Sequence, residues 1–158
     1  MIIMAEFQHW KVVGSCIALA KTLVERHEGR RHLAYEDHLG NVTVGVGRNL
    51  DGKGLSDNEI DILLMNDLVE CFEDLSNFRW FADATEAQQA ALIDWRFQLG
   101  GAGIRKFKNT IKYLEVGDYK QASVEMLNSV WANQTPQRAG EISRLVGGHS
   151  IENSSLSG

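Results

Sequence analysis

Residues 27–48 read HEGRRHLAYEDHLGNVTVGVGR, and within them the period of the chain changes. Before this stretch Met4, Phe7, Trp10, Val13, Ile17, Ala20, Leu23 and Val24 recur at helical spacing, with Gly14 able to divide the helix. Inside it, Leu33, Tyr35 and Asp37 alternate with Ala34, Glu36 and His38. After Gly40, Val42, Val44 and Val46 alternate with Thr43, Gly45 and Gly47. Two alternating runs around a glycine predict a β-hairpin. A loop of His38, Leu39 and Gly40, with the glycine left-handed, suits a three-residue turn with a bulge. Such an odd loop keeps Asp37 and Thr43 on one face of the sheet, whereas a two-residue turn would part them.

Beyond the hairpin the pattern is helical. Ser56 and Glu59 form a capping box ahead of Ile60, Leu63, Leu64, Leu68, Phe72 and Leu75, one apolar face of a long helix. Thr85 and Gln88 form a second box. It opens AQQAALIDWRFQL, whose broad apolar surface predicts a buried helix stopped at Gly100-Gly101. Helices over 109–116, closed by Gly117, and over 119–130 follow. Thr135 caps the last helix, with Pro136 in its first turn. The fold class is α+β: a hairpin lobe over 28–55, too small to stand alone, packed against a helical lobe over 56–147 with a cleft between. Residues 1–16 are expected to form an extra N-terminal helix, and 148–158 a poorly packed tail.

The 158 residues suit one domain, 1–147, or two closely packed lobes. A net charge of −5 argues against a broad phosphate-binding surface, so no nucleic-acid partner is expected. Cys16 and Cys71 lack metal-ligand spacing, and buried free thiols are the simplest reading. The longest apolar run, VVGSCIALA, is too short for a membrane span, and its flanks do not make a signal peptide.

Cleaving a glycosidic bond takes two carboxyl groups in different environments, one to protonate the leaving oxygen and one ionised. Glu28, at the end of an apolar helix, is placed for partial burial, which favours the protonated form. Asp37 lies beside a turn, where solvent and backbone N–H groups keep a carboxylate ionised. Thr43, on the same face, offers a hydroxyl to hold a water between Asp37 and a sugar. On spacing alone, a solvated helix end and an ordinary hairpin fit these residues as well. Glu25, Glu36 and Asp51 serve nearly as well by composition.

The stretch resembles the active-site signature of the phage lysozymes of glycoside hydrolase family 24, in particular the T-even type. That signature is a helix ending in Glu-Gly, then an aromatic residue and Asp, then Gly, then Thr-(Val/Ile)-Gly-x-Gly. The matching residues are Glu28-Gly29, Tyr35-Glu36-Asp37, Gly40 and Thr43-Val44-Gly45-Val46-Gly47. Three later blocks also look like the T-even type: Phe97-Gln98-Leu99-Gly100, Phe107-Lys108-Asn109-Thr110, and Trp131 through Ala139. The resemblance implies a lysozyme fold and a muramidase that cuts peptidoglycan at the β-1,4 bond between N-acetylmuramic acid and N-acetylglucosamine.

By that resemblance Glu28 is the general acid, Asp37 the carboxylate that directs water with inversion, and Thr43 the hydroxyl that holds the water. Phe97, Gln98 and Thr110 match positions lining the sugar cleft. Arg138 matches an arginine that pairs with the catalytic glutamate. For Phe97 a core position, for Gln98 a helix-end partner and for Arg138 a plain surface charge compete with those roles. Trp131 is expected in the core with a partner for its indole N–H. Arg96, inside an apolar helix, must pair with Asp94 or another acid, or else reach the cleft. No cofactor or metal is implied, and a monomer is expected. A phage endolysin of this kind accumulates in the host cytoplasm and reaches the wall through a holin pore. A lytic transglycosylase and a non-catalytic wall-binding protein are the alternatives. The pairing of Asp37 with Thr43 argues against the first, and the presence of both carboxylates against the second.

Overall fold

The computed structural model describes residues 15–150, which form two compact units divided between Ile60 and Asp61. In the first, helix α1 (Ser15–Glu28) leads into strands β1 (Arg31–Glu36), β2 (Val42–Gly45) and β3 (Arg48–Asn49). Gly29 ends the helix by taking φ +74°, and its N–H bonds back to the Glu25 carbonyl at 2.9 Å.

The strands form one antiparallel sheet in the order β1-β2-β3. Tyr35 pairs with Thr43 and Glu36 with Val42. The Asp37 N–H bonds to the Asn41 carbonyl at 2.9 Å, and the Gly40 N–H to the Asp37 carbonyl at 3.0 Å. Gly40 is left-handed at φ +82°, so the loop is the expected one and Asp37 lies on the same face as Thr43. Toward Arg31, which pairs with Gly45, the register slips. The short third strand goes beyond the expected hairpin: Asn49 pairs with Thr43 and Arg48 with Val44.

Helix α2 (Asp57–Leu75) begins in the first unit and runs through the boundary. Its capping box is formed, with the Ser56 N–H on Glu59 Oε2 at 2.7 Å and the Glu59 N–H on Ser56 Oγ at 3.3 Å. Along it only Cys71 and Leu75 are buried; Ile60, Leu63, Leu64 and Phe72 of the expected apolar face are exposed. On α1, Ile17, Leu23 and Val24 are likewise exposed, as is Cys16, which was expected to be buried. The part of the helical pattern before Ser15, with most of the extra helix over 1–16, lies outside the described residues, as does the tail from 151 onward.

The second unit continues with α3 (Arg79–Ala82), α4 (Glu86–Ile104), α5 (Lys108–Glu115), α6 (Tyr119–Leu127), α7 (Val130–Gln134) and α8 (Pro136–Val146). Its core gathers Leu75, Trp80, Phe81, Leu92, Trp95, Ile104, Leu114, Met126, Ile142 and Val146. Trp95 and Trp131 both meet Phe107 edge to face, with centroids 5.3 and 6.1 Å apart. The Thr85–Gln88 box opens α4, and Gln88 also donates to the Val146 carbonyl at 2.9 Å, which ties α4 to the end of α8.

Gly100 ends the regular run of α4, as expected. It kinks the helix at φ +74°, ψ 165°, and a further turn runs on to Ile104. The segment expected as one helix over 119–130 is two, because Ser129 caps a new start by accepting from the Ala132 N–H. Thr135 stands at the N-cap position of α8 but makes no cap bond; its hydroxyl donates to the Trp131 carbonyl at 3.1 Å. No helix among the described residues is long and apolar enough to cross a membrane.

Candidate active site

Asp37 builds its own surroundings. Its Oδ1 accepts from the Asn41 N–H at 2.8 Å and the Leu39 N–H at 2.9 Å, and its Oδ2 from the Asn41 side-chain amide at 3.1 Å. The Asn41 backbone N–H first, then the Asn41 amide, and more weakly the Leu39 N–H and His38, hold this carboxyl below its usual range. Partial desolvation opposes them without prevailing. Asp37 is therefore an ionised carboxylate anchored in the hairpin turn, as its place beside the turn suggests.

Thr43 is 3% exposed, the most enclosed polar residue among the described residues of the first unit. Its hydroxyl donates to the Asn41 carbonyl at 3.1 Å, which leaves its oxygen lone pairs free to accept. Asn41 thus joins the two expected residues, its amide on Asp37 and its carbonyl on Thr43. Nothing in the sequence pattern singled out Asn41. Its position at the end of an Asx-type turn is the signal that could have found it.

Glu28 is the last residue of α1 and is exposed, so the expected partial burial is not found. No protein donor among the described residues engages its carboxylate. Its side chain rests on Gly47: a Cβ built there would lie 3.1 Å from Glu28 Cδ and Oε2 and 3.2 Å from Cγ. Gly47 also takes φ +68°, a second reason for glycine. The neighbouring acids are committed elsewhere. Glu25 pairs with Lys21 and Arg30 at 3.0 Å each, and Asp51 accepts from the Val42 N–H at 2.7 Å. Only Glu36 of the rivals stays exposed and unengaged among the described residues.

The remaining expected residues lie in the helical unit. Phe97 is 40% exposed, not core. Gln98 has both ends of its amide in use: Oε1 accepts from the Trp131 indole N–H at 2.9 Å, and Nε2 donates to Thr135 Oγ1 at 3.4 Å. Trp131 is buried with its partner, as expected. Thr110 is buried and lines a pocket of about 550 Å³ whose wall also includes Lys106, Lys108 and Glu125. The Arg138 guanidinium binds Asp94 Oδ1 through both Nε and Nη2. Arg96 takes Asp74 at 2.7 Å and Glu70 at 3.3 Å, which settles how its charge is compensated.

A model of the phage lysozyme family matches residues 25–145. Two proteins of Dictyostelium discoideum named as probable T4-type lysozymes, 2 and 1, are 23% and 24% identical over 80% and 82% of this chain, and over 92% and 94% of their own lengths. The pre-baseplate central spike protein Gp5 of Enterobacteria phage T4 is 25% identical over 78% of this chain, a match confined to 27% of that larger protein. The family span opens three residues before Glu28 and takes in the hairpin, the Gln98–Trp131 bond and most of α8. A mostly helical chain with a small antiparallel sheet, matched over most of its length, belongs to the phage lysozyme family and is a lysozyme-like glycan hydrolase.

Proposed function

We propose that this lysozyme is a peptidoglycan muramidase that hydrolyses the β-1,4 bond between N-acetylmuramic acid and N-acetylglucosamine, acting as a phage endolysin. The observation that carries the site assignment is the contrast between two carboxylates in one unit. Asp37 is held ionised by three donor groups, while Glu28 has no protein donor among the described residues. A hydrolysis needs this division: one group fixed as an anion, and one left to exchange a proton with the substrate.

In this reading Glu28 donates its proton to the glycosidic oxygen. Asp37 takes a proton from a water that attacks the opposite face of the sugar, so that the product is inverted. Thr43, whose hydrogen is spent on Asn41, accepts a hydrogen bond from the same water and fixes its direction. Phe97 offers an exposed ring to a sugar face, and Gln98 holds the Trp131 side of the helical unit in place. The pocket beside Thr110, with two lysines and a glutamate in its wall, offers charges of both signs, as a peptide-bearing glycan requires. Arg138, whose guanidinium is bound to Asp94, enters the proposal only as a supporting residue of the helical unit.

The test is digestion of purified peptidoglycan, with product ends read by mass spectrometry and anomeric configuration by NMR. Reducing muramic ends, lost in Glu28→Gln and Asp37→Asn, support the proposal. Anhydro ends would replace it with a transglycosylase, and an inactive parent protein with a wall-binding module.

A further inference from the structure

The Gly45–Gly47 turn, against which Glu28 rests, is the most permissive backbone near the site. Gly45 and Gly47 both take positive φ, at +67° and +68°. Such a turn keeps one shape only if both ends are fixed. Its first end is β2, paired on both sides. Its second end is β3, only two residues long, which starts at Arg48.

Arg48 is unusually well tied. Its Nη1 donates to Glu59 Oε2 at 2.8 Å and to the Gly54 carbonyl at 3.1 Å, and its Nη2 donates to Glu59 Oε1. Glu59 Oε2 also accepts the Ser56 N–H at 2.7 Å. The capping carboxylate of α2 therefore serves twice. It closes the start of the helix, and it grips the residue beside Gly47 through a two-pronged, charge-assisted contact.

We propose that Arg48 and Glu59 are a positioning pair for Glu28, fixing the end of the Gly45–Gly47 turn so that the Gly47 backbone stays against the Glu28 side chain. The inference rests on the reading of Glu28 as the acid. Neither residue of the pair touches substrate in this account. The pair acts through the turn, and the turn through contact at Gly47. The grip outlasts ordinary carboxylate titration, since the Arg48 guanidinium and then the Ser56 N–H hold the Glu59 carboxyl down to about 2.

The test compares Arg48→Met, Arg48→Lys and Glu59→Gln in the full chain, all checked by thermal unfolding. Misplacing a reacting group by about an ångström costs on the order of 10²-fold in rate. The expected result is a kcat lowered roughly 10- to 100-fold in Arg48→Met and Glu59→Gln, with KM for soluble wall fragments nearly unchanged. Arg48→Lys restores part of the loss, because an ammonium keeps the charge but not the fork. A second readout does not depend on catalysis: the carboxyl 13C resonance of Glu28 shifts in Arg48→Met and Glu59→Gln. An unmoved resonance overturns the proposal, and so does a loss of activity that only follows the loss of folded protein. If Glu28→Gln keeps full activity, the acid assignment falls instead, and the resonance alone decides whether the pair holds that side chain.

Discussion

The two units hold their shapes by different means. In the helical unit Leu75, Phe81, Leu92, Trp95, Ile104 and Val146 have almost no exposure and lock one another by contact. In the N-terminal unit Thr43 is the only buried residue among those described, and it is polar. What fixes that unit is a set of directed bonds: Asp37 with Asn41 and Leu39, Val42 with Asp51, and Arg48 with Glu59. Apolar packing tolerates a change of charge and resents a change of volume. A hydrogen-bonded frame does the reverse, because a lost partner leaves a polar group unpaired. The carboxylates assigned to catalysis sit in the second kind of frame.

The largest expected effect breaks function without breaking either unit. Glu28→Gln and Asp37→Asn should each lower the rate of peptidoglycan hydrolysis by roughly 10²–10⁴-fold, the range of a lost general acid or base. Their urea unfolding curves should stay close to the parent's, since asparagine keeps an acceptor oxygen for the turn donors. A large drop in stability would mean that the carboxylates are structural first. Next comes Trp95→Ala in the helical core, expected to cost about 3–5 kcal/mol in urea unfolding, as for other large aromatic truncations in cores. A loss under about 1 kcal/mol would contradict the packing described for that unit.

Gly47→Ala is expected to act on both properties. Left-handed strain at a non-glycine residue costs about 1–3 kcal/mol, and the added methyl group meets the Glu28 carboxyl. Hydrolysis measured well below the unfolding temperature should fall further than the folded fraction does. Equal losses would remove Gly47 from the account of Glu28.

The smallest effect is one of pH. Asp74, held first by Arg105 and then by Arg96, has its carboxyl lowered to about 2, and Glu59 is lowered to about 2 by Arg48. A folded-state value below the unfolded one adds stability that is complete above the unfolded value, near 4, and disappears as pH falls toward about 2. Urea midpoints measured at about pH 6, 4 and 2.5 should therefore decline mainly over the last interval, and Asp74→Asn should lessen that decline.

What was legible in the sequence was local. Both capping boxes, the His38-Leu39-Gly40 loop and the glycine stop at Gly117 are written within four or five residues, and each formed as read. In the helical unit Gly117 takes φ +75° and bonds to the Leu114 carbonyl at 3.0 Å, while Asp118 bonds to that of Tyr113 at 2.9 Å. What was not legible depends on distant partners. Arg138 found Asp94, Arg96 found Asp74, and Arg48 made a third strand with Val44 while gripping Glu59. Periodicity cannot assign such pairs, because several acids offer the same charge at unknown distances. The apolar positions of α1 and α2 show the other limit: a stripe declares a face, not how far that face is covered.

In the candidate site turn length put Asp37 and Thr43 on one face, but it was the resemblance to the phage lysozymes, and not spacing, that singled out Glu28, Asp37 and Thr43. Neither showed Asn41 between Asp37 and Thr43, or Gly47 beneath Glu28. The first follows once the hairpin turn is known, whereas the second depends on how the end of α1 meets the sheet.

The bonds of Asp37 to its own turn carry an evolutionary consequence. On the proposed assignment, a lineage that lost this side chain to alanine would forfeit together the carboxylate that directs the water and the hydrogen bonds that hold the turn. Under that assignment, selection for glycan cleavage also preserves the loop, with no separate pressure on folding. On the same assignment a drift to asparagine is different: it would remove the catalytic carboxylate and spare the turn, whose donors would still find an acceptor oxygen.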